Sequence, residues 1–200
     1  MKAMMGVLVL LLAAANGFAQ ASKPAAAVSE KQWESLQQAL ANEDWVKAAD
    51  EAAKYLKQAT QEDNEHSLAR LRHMFMFASA AKVAEGKMSY DDLKVTLKDL
   101  VGKEVMTSYT TLTATCLGVF NSICVKTSGD YDLSLASSNK SATYIYMFQY
   151  VRLTAKPDSI KDKKLGAIIG SLETIQFNPN QSNIWIMRVF IEKATLVFGE

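Results

Sequence analysis

Residues 141–153, SATYIYMFQYVRL, constrain this chain more than any other stretch. β-Branched and aromatic side chains follow one another almost without a break, so the segment predicts a strand and little else. A strand turns alternate side chains to opposite faces. Tyr144, Tyr146, Phe148 and Tyr150 therefore share one face, with Arg152 at its end, while Ile145, Met147, Val151 and Leu153 share the other. Both faces are mostly apolar, whereas a sheet with one wet side would alternate polar and apolar. The strand must be covered twice. The core of its own sheet accounts for one cover; what supplies the other is the functional question.

At the start of the chain, residues 1–21 read as a secretory signal peptide. Lys2 forms a short positive region, residues 7–15 an apolar one, and Ala19 and Ala21 supply the small residues of a cleavage site. The apolar run is too short to span a bilayer. Cleavage is expected after Ala21, with a second site after Ala19, and residues 22–28 then form a short linker. No cysteine stands near either site, which argues against a lipid anchor. No later run reaches the ~18 apolar residues a spanning helix requires. The mature protein is thus expected in the periplasm or the medium, without membrane insertion.

Residues 22–101 hold 11 Lys and Arg against 13 Asp and Glu, and residues 102–200 hold 10 against 8. Neither half has the basic excess that phosphate-driven nucleic-acid binding needs. The two cysteines, Cys116 and Cys124, are eight apart. In an oxidising compartment they suit a disulfide closing a short loop, the alternative being a pair of buried thiols.

Residues 29–101 read as a helical domain of four helices in two hairpins. Ser29 and Gln32 form a capping box with Val28 and Trp33 as its staple, and Trp33, Leu36 and Leu40 make one stripe. Asn42 is the expected cap of a second helix whose Trp45, Ala48, Ala49, Ala52, Ala53 and Leu56 face inward. A third helix is expected over 65–85, with Leu68, Leu71, Phe75 and Ala78 on one side and Gly86 as its stop. Ser89 and Asp92 cap a fourth, continued by Leu97 and Leu100 and stopped by Gly102. Met74, Phe75, Met76 and Phe77 are four apolar residues in a row, which no single helical stripe can hide. They predict contact with the second half of the chain.

Trp33, Leu36, Leu40 and Ala49 place the first hairpin close to a tetratricopeptide-type unit, which it resembles over fewer than thirty residues. Gln37 and Ala53 depart from that pattern, and a solenoid needs about three such units. The resemblance implies a protein-contacting surface. His66 and His73, with Glu62, Asp63 and Glu65 nearby, raise a metal reading. Two imidazoles seven residues apart on one helix are poor geometry for a single ion, so no metal is assigned.

Residues 102–200 read as a β domain of five long strands, at 105–115, 119–127, 142–153, 165–177 and 184–198. Residues 128–140 read as a long loop or a weak extra strand, and 155–164, with Pro157, as a charged connector. Residues 178–183, NPNQSN, have turn chemistry. A symmetric hairpin about them sets Phe177 opposite Ile184, Ile175 opposite Ile186, Glu173 opposite Arg188 and Ser171 opposite Phe190. The other face gathers Ile168, Leu172, Met187, Val189 and Ile191, with Gly166 and Gly170 as the small members. Glycines opposite bulky residues suit a tightly curled sheet, and hence a small barrel.

The opening Gly102-Lys103-Glu104-Val105, the apolar-aromatic third strand and the fourth strand opening at 164–170 resemble an OB-fold, in particular its transfer-RNA-anticodon-like branch. The whole chain also resembles uncharacterised secreted bacterial proteins with a helical first half and an OB-like second half. These resemblances imply an α+β architecture, a four-helix segment packed on a five-stranded barrel, and a binding face for oligosaccharide, oligonucleotide or protein. They imply no activity.

Catalytic signals are missing from the sequence: no phosphate loop, zinc motif or nucleophile elbow occurs, and the β half has no histidine. Glu173 and Arg188 read as a cross-strand ion pair. Asn139-Lys140-Ser141 and Asn180-Gln181-Ser182 fit the glycosylation pattern, which matters only in a eukaryotic secretory route. The expected function is a non-enzymatic binding or interaction module without a cofactor. One form is an aromatic platform of Tyr144, Tyr146, Phe148 and Tyr150 flanked by Arg152, stacking on sugars or bases. The other is an assembly or inhibitor-like protein meeting a protein partner through its helices. The aromatic row is read first as the seam where the helices dock, with Phe148→Ala then costing on the order of 3–5 kcal/mol. Exposure of the row separates seam from platform.

Overall fold

The computed structural model describes residues 28–58, 65–114, 116, 119–125, 130–155 and 165–199. The expected signal peptide, most of the 22–28 linker and nearly all of the 155–164 connector lie outside these residues. The fold is α+β: four helices come first, and a seven-stranded mixed sheet follows. Among the described residues no helix is long and apolar enough to cross a membrane.

The helices are α1 (Glu30–Ala41), α2 (Trp45–Gln58), α3 (Glu65–Ala84) and α4 (Tyr90–Leu97), the last followed by a 3-10 turn at Lys98–Leu100. Local chemistry sets their ends. The Ser29 backbone N–H donates to Gln32 Oε1 (2.8 Å), closing the expected capping box. Ser89 Oγ accepts from Asp92 N (3.0 Å), and Gly86 ends α3 with φ +71°, a left-handed position that costs glycine nothing. The start of α2 corrects the sequence reading. Asn42 is occupied with closing α1, its N–H donating to Gln38 O (2.9 Å) and its Oδ1 accepting from Gln38 Nε2 (3.0 Å). Asp44 takes the capping role instead, accepting from Lys47 N (3.2 Å).

The strands are β1 (Glu104–Met106), β2 (Thr110–Thr113), β3 (Ile123–Val125), β4 (Leu133–Ser138), β5 (Ile145–Leu153), β6 (Leu165–Phe177) and β7 (Trp185–Phe198). The sheet order is β1-β6-β2-β3-β4-β5-β7, and β6 also pairs with β7. β2 with β3 and β5 with β7 run parallel, and the other pairs antiparallel. Seven strands replace the five expected for two reasons. The first expected strand breaks at residues 107–109, where Thr107 Oγ1 accepts from Ile168 N (2.9 Å), so both β1 and β2 lie on β6. Residues 133–138, weak in β-propensity, still alternate, with Leu133 and Leu135 buried, and they form β4 between β3 and β5. Cys116 and Cys124 form a disulfide, with Cα atoms 5.2 Å apart, across the loop between the parallel strands β2 and β3. Closing a loop of this size contributes about 2–3 kcal/mol on a chain-entropy estimate.

The β6–β7 register also differs from the symmetric hairpin. Phe177 lies opposite Met187, Gln176 opposite Arg188, Ile175 opposite Val189, and Thr174 opposite Phe190. The Asn178 side chain causes the shift: its Oδ1 accepts from Asn180 N (3.0 Å) and its Nδ2 donates to Trp185 O (2.8 Å), so the turn takes up residues as far as 184. An irregularity between Leu172 and Thr174 then moves Glu173 out of line, and no Glu173–Arg188 pair forms. The expected apolar face survives, with Ile168, Leu172, Met187, Val189 and Ile191 all fully buried. A Cβ on Gly170 would come within 2.7 Å of Ile191 Cγ2 and 2.9 Å of Ala194 Cα, so the two strands approach there only because the side chain is missing.

One apolar cluster crosses from helix to sheet. It holds Trp45 of α2, Met76 and Ala80 of α3, Leu93 and Leu97 of α4, and then Leu112, Leu133, Tyr146, Met147, Val151 and Ile168 of the strands. A second cluster joins Leu36, Ala48, Ala49, Ala52, Leu71 and Met74 among the first three helices. The run from Met74 to Phe77 therefore divides its faces. Met74 packs among helices, Met76 and Phe77 belong to the cluster shared with the sheet, and Phe75 touches both. Polar contacts add to the seam: Arg72 Nη1 donates to Glu104 O (3.0 Å), the Lys140 N–H to Glu43 Oε1 (2.7 Å), and Tyr90 Oη to Ser182 O (2.8 Å). Burial pushes the Tyr90 phenol up to about 12, so it stays a hydrogen-bond donor at neutral pH.

Candidate functional site

The aromatic row of β5 splits into two environments. Tyr146 is 1 % exposed and sits in a triad with Trp45 and Phe77, ring centroids 5.3 and 5.2 Å away and interplanar angles of 74° and 77°. These are edge-to-face contacts, the favoured arrangement for aromatic quadrupoles. Desolvation, reinforced by Glu43 and Glu85, raises the Tyr146 phenol well above its ordinary value. Tyr144 is half-buried against the same cluster. This end of the row is the seam.

Further along the row, the outward side chains are no longer buried as Tyr146 is. Phe148 and Tyr150 are half-buried, and Arg152 is exposed. The single continuous seam expected of the row is therefore corrected at Phe148: the β4–β5 register slips at Tyr146, whose ring packs on α2 and α3, whereas Phe148 and Tyr150 lie on the opposite face from Gln149, which meets α3, and are surrounded by other aromatic side chains. Tyr150 stacks on Phe190 of β7, centroids 5.4 Å apart at 21°, and Tyr131 lies 5.6 Å from each of these rings. Phe148 leans on Trp185 at 6.3 Å. The guanidinium of Arg152 lies over Tyr131 (5.3 Å) while its Nη1 donates to Glu192 Oε1 (3.0 Å), and the guanidinium of Arg188 lies over Trp185 (5.0 Å). Beside this group the β4 residues opposite Tyr150 and Phe148 are small, Ser134 and Ala136. Five half-buried rings and two arginines thus share the outer surface of β4, β5 and β7.

Sequence reasoning found three of these residues and missed four. Tyr131 falls in residues 128–140, which read as a long loop or a weak extra strand and give it no assigned face. Trp185, Arg188 and Phe190 were assigned a hairpin register that paired Arg188 with Glu173, and the signal available was the β5-like alternation of Arg188, Phe190 and Glu192 on the strand parallel to it.

A second set of polar groups lies inside the seam. His73 of α3 is 6 % exposed, and Gln149, on the inner face of β5, is fully buried. Gln149 Nε2 donates to Ser137 Oγ (2.9 Å), so its Oε1 accepts, and His73 Nε2 is the donor to it (3.0 Å). Burial lowers the His73 imidazole to about 4, leaving it neutral above that pH. His66, by contrast, is exposed. Sequence reasoning weighed His73 only with His66 as a metal pair; its partner lies 76 residues away and cannot be seen from helical spacing. Asn139, in the first glycosylation triplet, is buried, its Oδ1 accepting from Thr143 N (2.9 Å) and Tyr144 N (3.0 Å) to shape the β4–β5 turn.

The fold and these surfaces define an α+β protein with a helix-capped mixed sheet and an aromatic outer face. No protein-family model, no curated protein and no solved structure matches this chain.

Proposed function

We propose that this protein is an exported, non-catalytic binding module whose β half has OB-type topology, and that the outer face of β4, β5 and β7 binds an oligosaccharide. The strand order supports the topology. Counting β1 and β2 as one broken strand, the pairings run β1/β2, β3, β4, β5, β7, β6 and back to the first, which is the OB order with β3 as an extra short strand. The observation that carries the ligand reading is the cluster of Tyr131, Phe148, Tyr150, Trp185 and Phe190 with Arg152 and Arg188 over its rings. Flat rings stack on the apolar faces of sugars, and the arginines, Glu192 and Gln176 are placed to bond hydroxyls. The near-neutral charge of residues 102–200 favours sugar over polyphosphate.

The test titrates the protein, purified without its first 21 residues, with cello- and chito-oligosaccharides and with a single-stranded oligodeoxynucleotide. Calorimetry should show saccharide binding that Tyr150→Ala and Trp185→Ala each weaken about tenfold, roughly 1.4 kcal/mol. Saccharide binding indifferent to both substitutions would refute the platform, and preference for the oligonucleotide would reassign its ligand. N-terminal sequencing of exported protein should begin at Ser22; a membrane-retained form that keeps residues 1–21 would refute the export reading.

A further inference from the structure

We propose a second ligand site, independent of the aromatic platform: the cleft between α3 and the broken strand at residues 107–110 takes a small, uncharged, largely apolar molecule bearing one hydroxyl group. The cleft has a volume of about 290 Å³. Leu40, Met74, Phe77 and Leu135 form its apolar walls, and Ser108, Tyr109, Thr110 and Asn121 its remaining side, with no Lys, Arg, Asp or Glu among the described residues that line it. Ser108 and Tyr109 are exposed, which puts them at the mouth. An apolar cavity of roughly 150 Å³ holds one benzene, so this volume suits about two fused rings.

Its polar groups identify the functional group. Asn121 is already committed, its Oδ1 accepting from Ser138 N (2.9 Å) and its Nδ2 donating to Ser138 Oγ (3.1 Å). Thr110 Oγ1 donates to Asn121 O. His73 and Ser137 also line the cleft, and both are held by Gln149 from the sheet side. Gln149 takes the Nε2–H of His73, which leaves Nδ1 as an acceptor; it gives its own N–H to Ser137 Oγ, which leaves the Ser137 hydroxyl hydrogen as a donor. One acceptor and one donor on neighbouring, nine-tenths-buried side chains match a hydroxyl, which donates and accepts through the same atom. With no formal charge among the described residues of the lining, a carboxylate or ammonium entering the cleft would lose its hydration without compensation from them.

The probe is 2-naphthol, followed by its own fluorescence, with 2-naphthoate as the charged analogue of the same shape. Binding of the naphthol, with naphthoate at least about tenfold weaker, is expected. Ser108→Trp fills the exposed mouth without touching the buried network and should weaken naphthol binding about tenfold or more, while Tyr150→Ala on the outer face leaves it unchanged. Thermal melts establish that both variants fold. Equal binding of the two probes, undiminished binding by Ser108→Trp, loss of binding on Tyr150→Ala, or no naphthol binding up to its solubility limit would each overturn the site.

Discussion

Tyr146→Ala removes the side chain on which helices and sheet converge. Its ring is 1 % exposed and makes two edge-to-face contacts, to Trp45 from α2 and to Phe77 from α3. Truncating a buried large aromatic costs about 3–5 kcal/mol, and two aromatic pairs, each worth ~0.5–1.5 kcal/mol beyond area, place this site in the upper part of that range. For a chain of this size that is a fall in Tm of roughly 8–20 °C. Phe148→Ala, two residues along the same face, removes a half-buried ring whose aromatic neighbour is Trp185 at 6.3 Å, and should cost only about 1–2 kcal/mol. Urea melts of both variants, followed in parallel by far-UV circular dichroism and tryptophan fluorescence, give the two values. Because one apolar cluster runs from Trp45 to Ile191, the two signals should also change together in the parent. A Phe148→Ala loss equal to or larger than that of Tyr146→Ala would refute the split of the row, and separate helical and sheet transitions would refute the shared core.

Acid should weaken the fold through His73. Unfolded, the imidazole takes up its proton near pH 6.5, whereas in the fold burial delays this to about pH 4. Between those values the unfolded state binds more protons, so stability falls as pH falls, by about 3 kcal/mol across the window. His73→Met should be less stable at pH 7 yet lack this component, and parallel pH slopes for parent and variant would contradict it. Gly170→Ala should destabilise by about 1–3 kcal/mol in urea melts, since its Cβ would meet the Ala194 backbone at 2.9 Å. A neutral result there would mean that β6 and β7 separate easily at this point.

Elements whose cause lies within a few residues were legible in the sequence. The capping box at Ser29 and Gln32, the α3 stop at Gly86, the α4 cap at Ser89 and the long strands β6 and β7 each follow from adjacent side chains and backbone sterics. Residues 141–153 announced a strand for the same reason, since alternation is a local property, but the second full cover expected of it reaches Tyr146 and not Phe148 or Tyr150. The surplus at Met74 to Phe77 showed equally that α3 must meet the sheet.

What covers each residue of that strand was decided only in three dimensions. Tyr146 and Phe148 carry the same pattern in the sequence, yet the β4–β5 register slips at Tyr146 and only its ring packs on α2 and α3, so one ring is core and the other is surface. The β7 register depended on how many residues the Asn178 side chain drew into its turn, and that count placed Arg188 over Trp185 instead of beside Glu173. The neutral His73 and its Gln149 partner likewise came together through packing across 76 residues. Hydrophobic pattern specifies that a face is buried. Which neighbour buries it depends on where helices end and strands register, and those are set by the packing of the whole chain.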